Sequence, residues 1–115
     1  MNTKAAVLHQ MKLGRPYTDS NPLKIEQLTL DSPGFNEVVV KIKAAGICHS
    51  DLSVIDGNRP RPLPMALGHE AAGVVVALGK GVNNLAIGDH VVFAFLPSCG
   101  SCSYCHSGRA ALCEP

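Results

Sequence analysis

Four of the chain's five cysteines fall within CGSCSYCHSGRAALC, residues 99–113, as Cys99, Cys102, Cys105 and Cys113. The spacing is C-x2-C-x2-C-x7-C. Cysteines two residues apart can wrap one metal ion, because a turn of backbone aims both sulfurs at one point. Four thiolates complete the tetrahedron of a zinc ion and leave no open position, which is the arrangement of a structural site. Between the cysteines stand Gly100, Ser101, Ser103, Ser107 and Gly108, which offer nothing to bury. Metal binding would supply the folding free energy that such a loop lacks. The first three cysteines also have the spacing of a bacterial iron–sulfur cluster, but that pattern continues with x3 and then Cys-Pro. Here seven residues intervene and Glu114 follows. Structural zinc ranks first, with a cluster and disulfides or free thiols behind it. Four cysteines suffice, so His106 reads as a loop residue.

A second constellation is GICHSD, residues 46–51, followed at distance by GHE, residues 68–70. Cys48 stands where a short helix should open, and a thiol there, or beside a metal, has a lowered pKa and ligates as thiolate. Ser50 and Ser53, three apart, would share a helix face. Asp51 near a helix start complements its dipole. Spacing alone does not bring Cys48 and His69 together, and free cysteine is among the most buried residue types, so each on its own reads as core. Phe95 on an alternating strand also reads as core. His9 and His90 are given no role.

The elements that must position these residues are mostly strands. Lys4–His9 reads as a strand, GRPYTDSNP as a loop, and Leu23–Leu30 as a second strand closed by the turn Asp31–Gly34. Glu37–Ala45 alternates, with Val38, Val40 and Ile42 on one face and Lys41 and Lys43 on the other, as a half-buried strand does. His49–Ile55 reads as a short helix ended by Asp56-Gly57. Three prolines keep NRPRPLP out of regular structure. Gly68–Leu78 reads as a long apolar strand, where Gly73 signals a bulge or a close backbone approach. Turns at Gly79-Lys-Gly81 and Gly88-Asp89 lead to a strand over His90–Leu96, with Val91, Phe93 and Phe95 on one face. Turns roughly every ten residues favour a small barrel or sandwich.

Composition narrows the function. A length of 115 residues fits one domain, 1–115, with one modest core. The formal net charge of +1, with two tyrosines, three phenylalanines and no tryptophan, gives no field or stacking surface for nucleic acid. No apolar run reaches the ~18 residues of a membrane helix, and Met1–Gln10 lacks a signal-peptide pattern. The expectation is a cytoplasmic protein, where closely spaced cysteines bind metal more often than they pair.

AGICHSD, GHEAAGVV, the run Gly79…Gly88-Asp89-His-Val91 and the cysteine lobe at its distance resemble, together, the zinc-dependent medium-chain alcohol dehydrogenases over nearly the whole chain. The resemblance implies the N-terminal catalytic domain: a mostly β, GroES-like, partly open β-barrel with short helices and a zinc-binding loop lobe at 97–115. It implies that Cys99, Cys102, Cys105 and Cys113 hold structural zinc, and that Cys48 and His69 are ligands of a catalytic zinc. Glu70 would sit beside that metal and exchange with a ligand. Asp51 would hold the His69 imidazole, Ser50 would take the proton from the alcohol, His49 would face the cofactor pyrophosphate, and Phe95 would wall the substrate pocket. Zinc would act as a Lewis acid, with hydride passing to a nicotinamide. Many relatives carry histidine at the position of Ser53 as outer proton relay. Ser53 does not titrate near neutrality, so a relay there would need water or cofactor hydroxyls.

In that family a third zinc ligand, usually Cys, and the Rossmann domain for NAD or NADP come later in the sequence. Here Gly79-Lys-Gly81 is the only G-x-G, and Asn84 stands where the fingerprint needs glycine. The Rossmann part is therefore absent from these residues, and the 115-residue chain is expected not to turn over alone. The implied partners are a small-molecule alcohol or aldehyde, with neither nucleic acid nor membrane, and a homo-oligomer for a full-length form. A partly finished barrel would leave strand edges open to other chains. The alternative reading is a non-enzymatic, zinc-stabilised GroES-like binding or assembly module.

Overall fold

The computed structural model describes residues 1–114. Strand β1 (Asn2–Leu8) pairs antiparallel with β2 (Leu23–Thr29), from Asn2 opposite Thr29 to Leu8 opposite Leu23. The segment between them, expected to be a loop, contains a one-turn helix, α1 (Tyr17–Ser20). Pro16 has the extended backbone of an N-cap, and Asn21 ends the turn in the left-handed region at φ 43°, donating its N–H to the Tyr17 carbonyl at 2.9 Å. One turn is too short to show a helical period in sequence.

Strand β3 (Val38–Ala45) runs into helix α2 (His49–Ile55). After the proline-rich segment come a two-residue strand, β4 (Met65–Ala66), then β5 (Ala71–Leu78) and β6 (His90–Val92). The chain closes with a short helix, α3 (Ser103–His106), and a 3-10 turn at Ala110–Leu112. The strands form two antiparallel three-stranded sheets, in the orders β2-β1-β4 and β3-β5-β6. Neither closes into a barrel, which agrees with the mostly β, partly open architecture expected.

The core is small. Leu8 of β1 and Val54 and Ile55 of α2 form its buried centre, with Met11, Leu23, Leu63, Met65 and Leu67 packed around them. Each such side chain contributes roughly 2 kcal/mol by leaving water. Val75 of β5 is fully buried in the other sheet. The accessible surface is 8379 Å², against about 6000 Å² for a compact monomer of this mass. The radius of gyration is 16.5 Å, against about 13 Å for a compact chain of this length. Apolar surface is therefore left open: Ile42 and Val92 in the second sheet, and Phe93 and Phe95 just beyond it, are all exposed.

Three strand expectations need correction. Ile42 was expected on the buried face with Val38 and Val40 but is 49% exposed. Its cross-strand partner is Gly73, which has no side chain to cover it, and the pairing skips a residue between Ile42 and Ala44. The strand expected over His90–Leu96 ends at Val92, so Val91, Phe93 and Phe95 do not share a strand face. The last pairing bond is Phe93 N–H to the Ala71 carbonyl, 2.9 Å, and β5 begins at Ala71. Beyond that point no further sheet pairing of this segment is present among the described residues. The strand expected over Gly68–Leu78 begins only at Ala71, so Gly68, His69 and Glu70 precede β5 rather than begin it. The expected close approach at Gly73 is present: an added Cβ would lie 2.5 Å from the Lys41 carbonyl oxygen.

Candidate metal centres

Sheet register brings the second constellation together. Ala45 at the end of β3 lies opposite Ala71 at the start of β5. In an antiparallel pair, the residues that follow Ala45 and those that precede Ala71 leave the sheet at the same end. Cys48 is three residues beyond the one, and His69 two residues before the other. The Gly46 N–H donates to the Glu70 carbonyl at 2.8 Å and ties the two segments. Phe95 leaves β6 past the same end.

Helix α2 then sets the details. Cys48 is its N-cap residue, with extended backbone at φ −105° and ψ 146°. The Cys48 N–H donates to Asp51 Oδ2 at 3.3 Å, three residues on, so the carboxylate satisfies an orphan amide at the helix start. The other oxygen, Asp51 Oδ1, lies 3.3 Å from His69 Nδ1. One carboxylate thus orients both Cys48 and His69, and it leaves His69 Nε2 facing the cleft. Ser50 Oγ lies 3.2 Å from Cys48 Sγ and 3.2 Å from His69 Nε2. The His69 ring meets Phe95 edge-on, with centroids 6.2 Å apart and planes at 67°.

Charge supports the geometry. The Ser50 hydroxyl, then the Ser50 amide, then His69 hold the Cys48 thiol below its ordinary value. The Cys48 sulfur raises the imidazole of His69, partial burial opposes it, and the Asp51 carboxylate adds to the rise. Ligand atoms of Cys48, His69 and Glu70 all lie within 4.8 Å of one another. A thiolate, an imidazole oriented by a carboxylate and an exposed Glu70 make a donor set that fits zinc with a coordination position to spare.

The four-cysteine cluster is a different object. The sulfurs of Cys99, Cys102, Cys105 and Cys113 also lie within 4.8 Å of one another. Backbone amides point at them: Cys99 N–H at Cys113 Sγ (3.2 Å), Cys102 N–H at Cys99 Sγ (3.3 Å) and Cys105 N–H at Cys102 Sγ (3.4 Å). The Ser101 hydroxyl and amide bring Cys99 down to about 5, and the Cys105 amide lowers Cys102. At Cys113 the Cys99 amide pulls down, but desolvation and the three neighbouring thiols outweigh it and push the group up to about 11. Four sulfurs this close cannot all ionise without a cation among them, which is the charge pattern of a four-thiolate metal site. His106 is exposed and outside the cluster.

Other expected residues divide. Ser53 bonds back to the His49 carbonyl at 3.3 Å. His49 is exposed at the first turn of α2 and does not line the cleft beside Cys48. That cleft has a volume of about 480 Å³, and Cys48, Ser50, Asp51, His69, Glu70 and Phe95 all line it. Sequence reading passed over its other charged lining, Arg59 and Arg61. The signal was present, as two arginines two positions apart, each followed by a proline.

A family model described as the alcohol dehydrogenase GroES-like domain matches residues 34–115. The chain belongs to this family. It is the type of domain found at the N-terminal part of zinc-type medium-chain alcohol dehydrogenases. Among curated relatives, the NDMA-dependent alcohol dehydrogenase of Amycolatopsis methanolica is 48% identical over 114 residues, 99% of this chain and 29% of that protein. A crystal structure of an alcohol dehydrogenase zinc-binding domain protein from Burkholderia ambifaria superposes with a TM-score of 0.85 at 41% identity, over 99% of this chain and 28% of that one. Benzyl alcohol dehydrogenase from Acinetobacter calcoaceticus superposes with a TM-score of 0.81 at 37% identity, over 99% and 29%. The GroES-like domain chain thus spans less than a third of the length of the proteins it matches.

Proposed function

We propose that this GroES-like domain is the catalytic portion, residues 1–115, of a zinc-dependent alcohol dehydrogenase that oxidises an alcohol to an aldehyde or ketone with NAD or NADP. The observation that carries this reading is the Ser50 hydroxyl standing 3.2 Å from both Cys48 Sγ and His69 Nε2. Cys48 and His69 hold the catalytic zinc, and Glu70 is close enough to share it. That ion, when bound, supplies Lewis acidity toward the alcohol oxygen. Ser50 would accept the hydroxyl proton of the substrate while releasing its own to solvent, so that the hydroxyl is regenerated. Asp51 fixes the His69 tautomer and holds the Cys48 backbone. Phe95 forms part of the wall of the cleft. Ser53, bonded to the His49 carbonyl, passes the proton on only through solvent or cofactor hydroxyls. His49, exposed at the start of α2, would face an anionic group of the cofactor.

Cys99, Cys102, Cys105 and Cys113 hold a second zinc that braces the lobe from residue 97 onward and takes no part in chemistry. The nicotinamide cofactor binds through residues that this sequence does not contain, so the 115-residue chain does not turn over alone. The domain works in the cytoplasm on small molecules, within a homo-oligomer. A purely assembly-type module has no need of a hydroxyl between a cysteine and a histidine, which favours the enzymatic reading.

Cobalt(II) in place of zinc makes the site visible. Benzyl alcohol should shift the cobalt d–d bands of the wild-type chain and leave those of Cys48→Ser unmoved. A wild-type spectrum indifferent to alcohol would overturn the proposal.

A further inference from the structure

The cleft has two charged side chains that the proposed chemistry does not use. Asp51 is committed to His69 and the Cys48 amide, and Glu70 belongs to the metal-ligating group. Arg59 and Arg61 also line the cleft, yet among the described residues neither makes an ion pair within 4.0 Å. Their backbone is held. The Arg59 N–H donates to the Ser53 carbonyl at 2.8 Å, just beyond the end of α2. Pro60, Pro62 and Pro64 fix φ along the segment. Both arginines line the same cleft as Cys48, Ser50 and His69.

Resting on the reading above, we infer that Arg59 and Arg61 form a subsite for an anionic group on the substrate, so that the preferred alcohols carry a carboxylate distal to the hydroxyl. Guanidinium pairs a carboxylate through two parallel N–H···O bonds, a geometry lysine cannot offer. The cleft, with a volume of about 480 Å³, has room for a ring-sized molecule and is lined by the metal-ligating group and the arginines alike. The charged groups are exposed, so each contact is screened by water and salt. Two together should favour a carboxylated alcohol by about tenfold at low ionic strength, and less at high salt.

The test compares 4-(hydroxymethyl)benzoate with benzyl alcohol on the cobalt-loaded 115-residue chain. Cobalt bands report the hydroxyl, and the NMR signals of the Arg59 and Arg61 side-chain N–H groups report the carboxylate. The expected result is about tenfold tighter binding of the carboxylated alcohol, with both arginine signals shifting. In the double variant Arg59→Gln, Arg61→Gln the ratio of the two affinities should fall to near one. Equal affinities in the wild type, or a preference that survives the double substitution, would overturn the inference. ADP-ribose is the third ligand: arginine signals that follow its diphosphate and ignore the carboxylate would assign the pair to a cofactor and also overturn it. Cobalt bands unmoved by either alcohol would refute the metal reading alone. The arginine signals would still decide the subsite, supporting it by shifting with the carboxylate and refuting it by silence.

Discussion

Replacing Asp51 should loosen the Cys48–His69 metal centre from outside it. The carboxylate is 16% exposed and spends one oxygen on His69 Nδ1 and the other on the Cys48 amide, each at 3.3 Å. Asp51→Asn keeps the shape but retains one acceptor, because the amide nitrogen can only donate. It should lose about tenfold in affinity for the metal at this site, the low end of the range for partners that orient a ligating histidine. Asp51→Ala removes both bonds and should lose about a hundredfold, or ~2.7 kcal/mol. It also uncaps α2, at ~1 kcal/mol of stability, or about 4 °C in melting temperature. Zinc partitioning against a chromophoric chelator measures the first effect, and thermal unfolding of the metal-free chain measures the second. The four-cysteine cluster, built on other residues, is an internal reference that neither variant should move. Wild-type affinity at the Cys48 site in Asp51→Ala would refute the orienting role, and a loss shared equally by both metal sites would mean general unfolding instead.

Two further outcomes follow from the same geometry. At Gly79 an added Cβ would fall inside the Gly34 carbonyl oxygen, and its N–H bonds to the Glu37 carbonyl at 2.8 Å. Gly79→Ala should therefore cost roughly 3 kcal/mol or more and break the contact between the end of β5 and the segment entering β3, whereas Gly14→Ala, with nothing within 4 Å, should be neutral in the same denaturant titration; equal midpoints would contradict this. In the metal-free chain at pH 6.5, Cys99, at about 5, is largely thiolate, and Cys113, at about 11, is thiol. Iodoacetamide should label Cys99 first and Cys113 last by peptide mass mapping, with Cys113 catching up only as pH rises towards 11; equal early labelling would contradict the charge pattern.

Much of this arrangement was legible in the sequence, and for local reasons. Helix His49–Ile55 was bounded correctly because its signals, the Cys48 entry and the Asp56-Gly57 exit, lie within a few residues. The four-cysteine cluster was legible because its ligands share one short loop. Ile42 was misplaced because its exposure depends on Gly73, across the sheet and 31 positions away. The strand after His90 was overextended because its end is set by where its neighbour β5 begins, which alternation along one strand does not report. The meeting of Cys48 with His69 follows from the β3–β5 register, which pattern reading cannot fix; the family resemblance supplied it. The arginines escaped notice because a proline-rich segment was read only for what it could not form.

The chain should carry two metal sites of different kinds, with the reactive one at Cys48 and His69 rather than in the conspicuous cysteine loop. Zinc content per folded chain, measured by atomic emission after removal of loosely held metal, distinguishes the two. More than one zinc is expected per wild-type chain, one in Cys48→Ser, and loss of the other with a disordered lobe in Cys113→Ser. Zinc content unchanged by Cys48→Ser would contradict this.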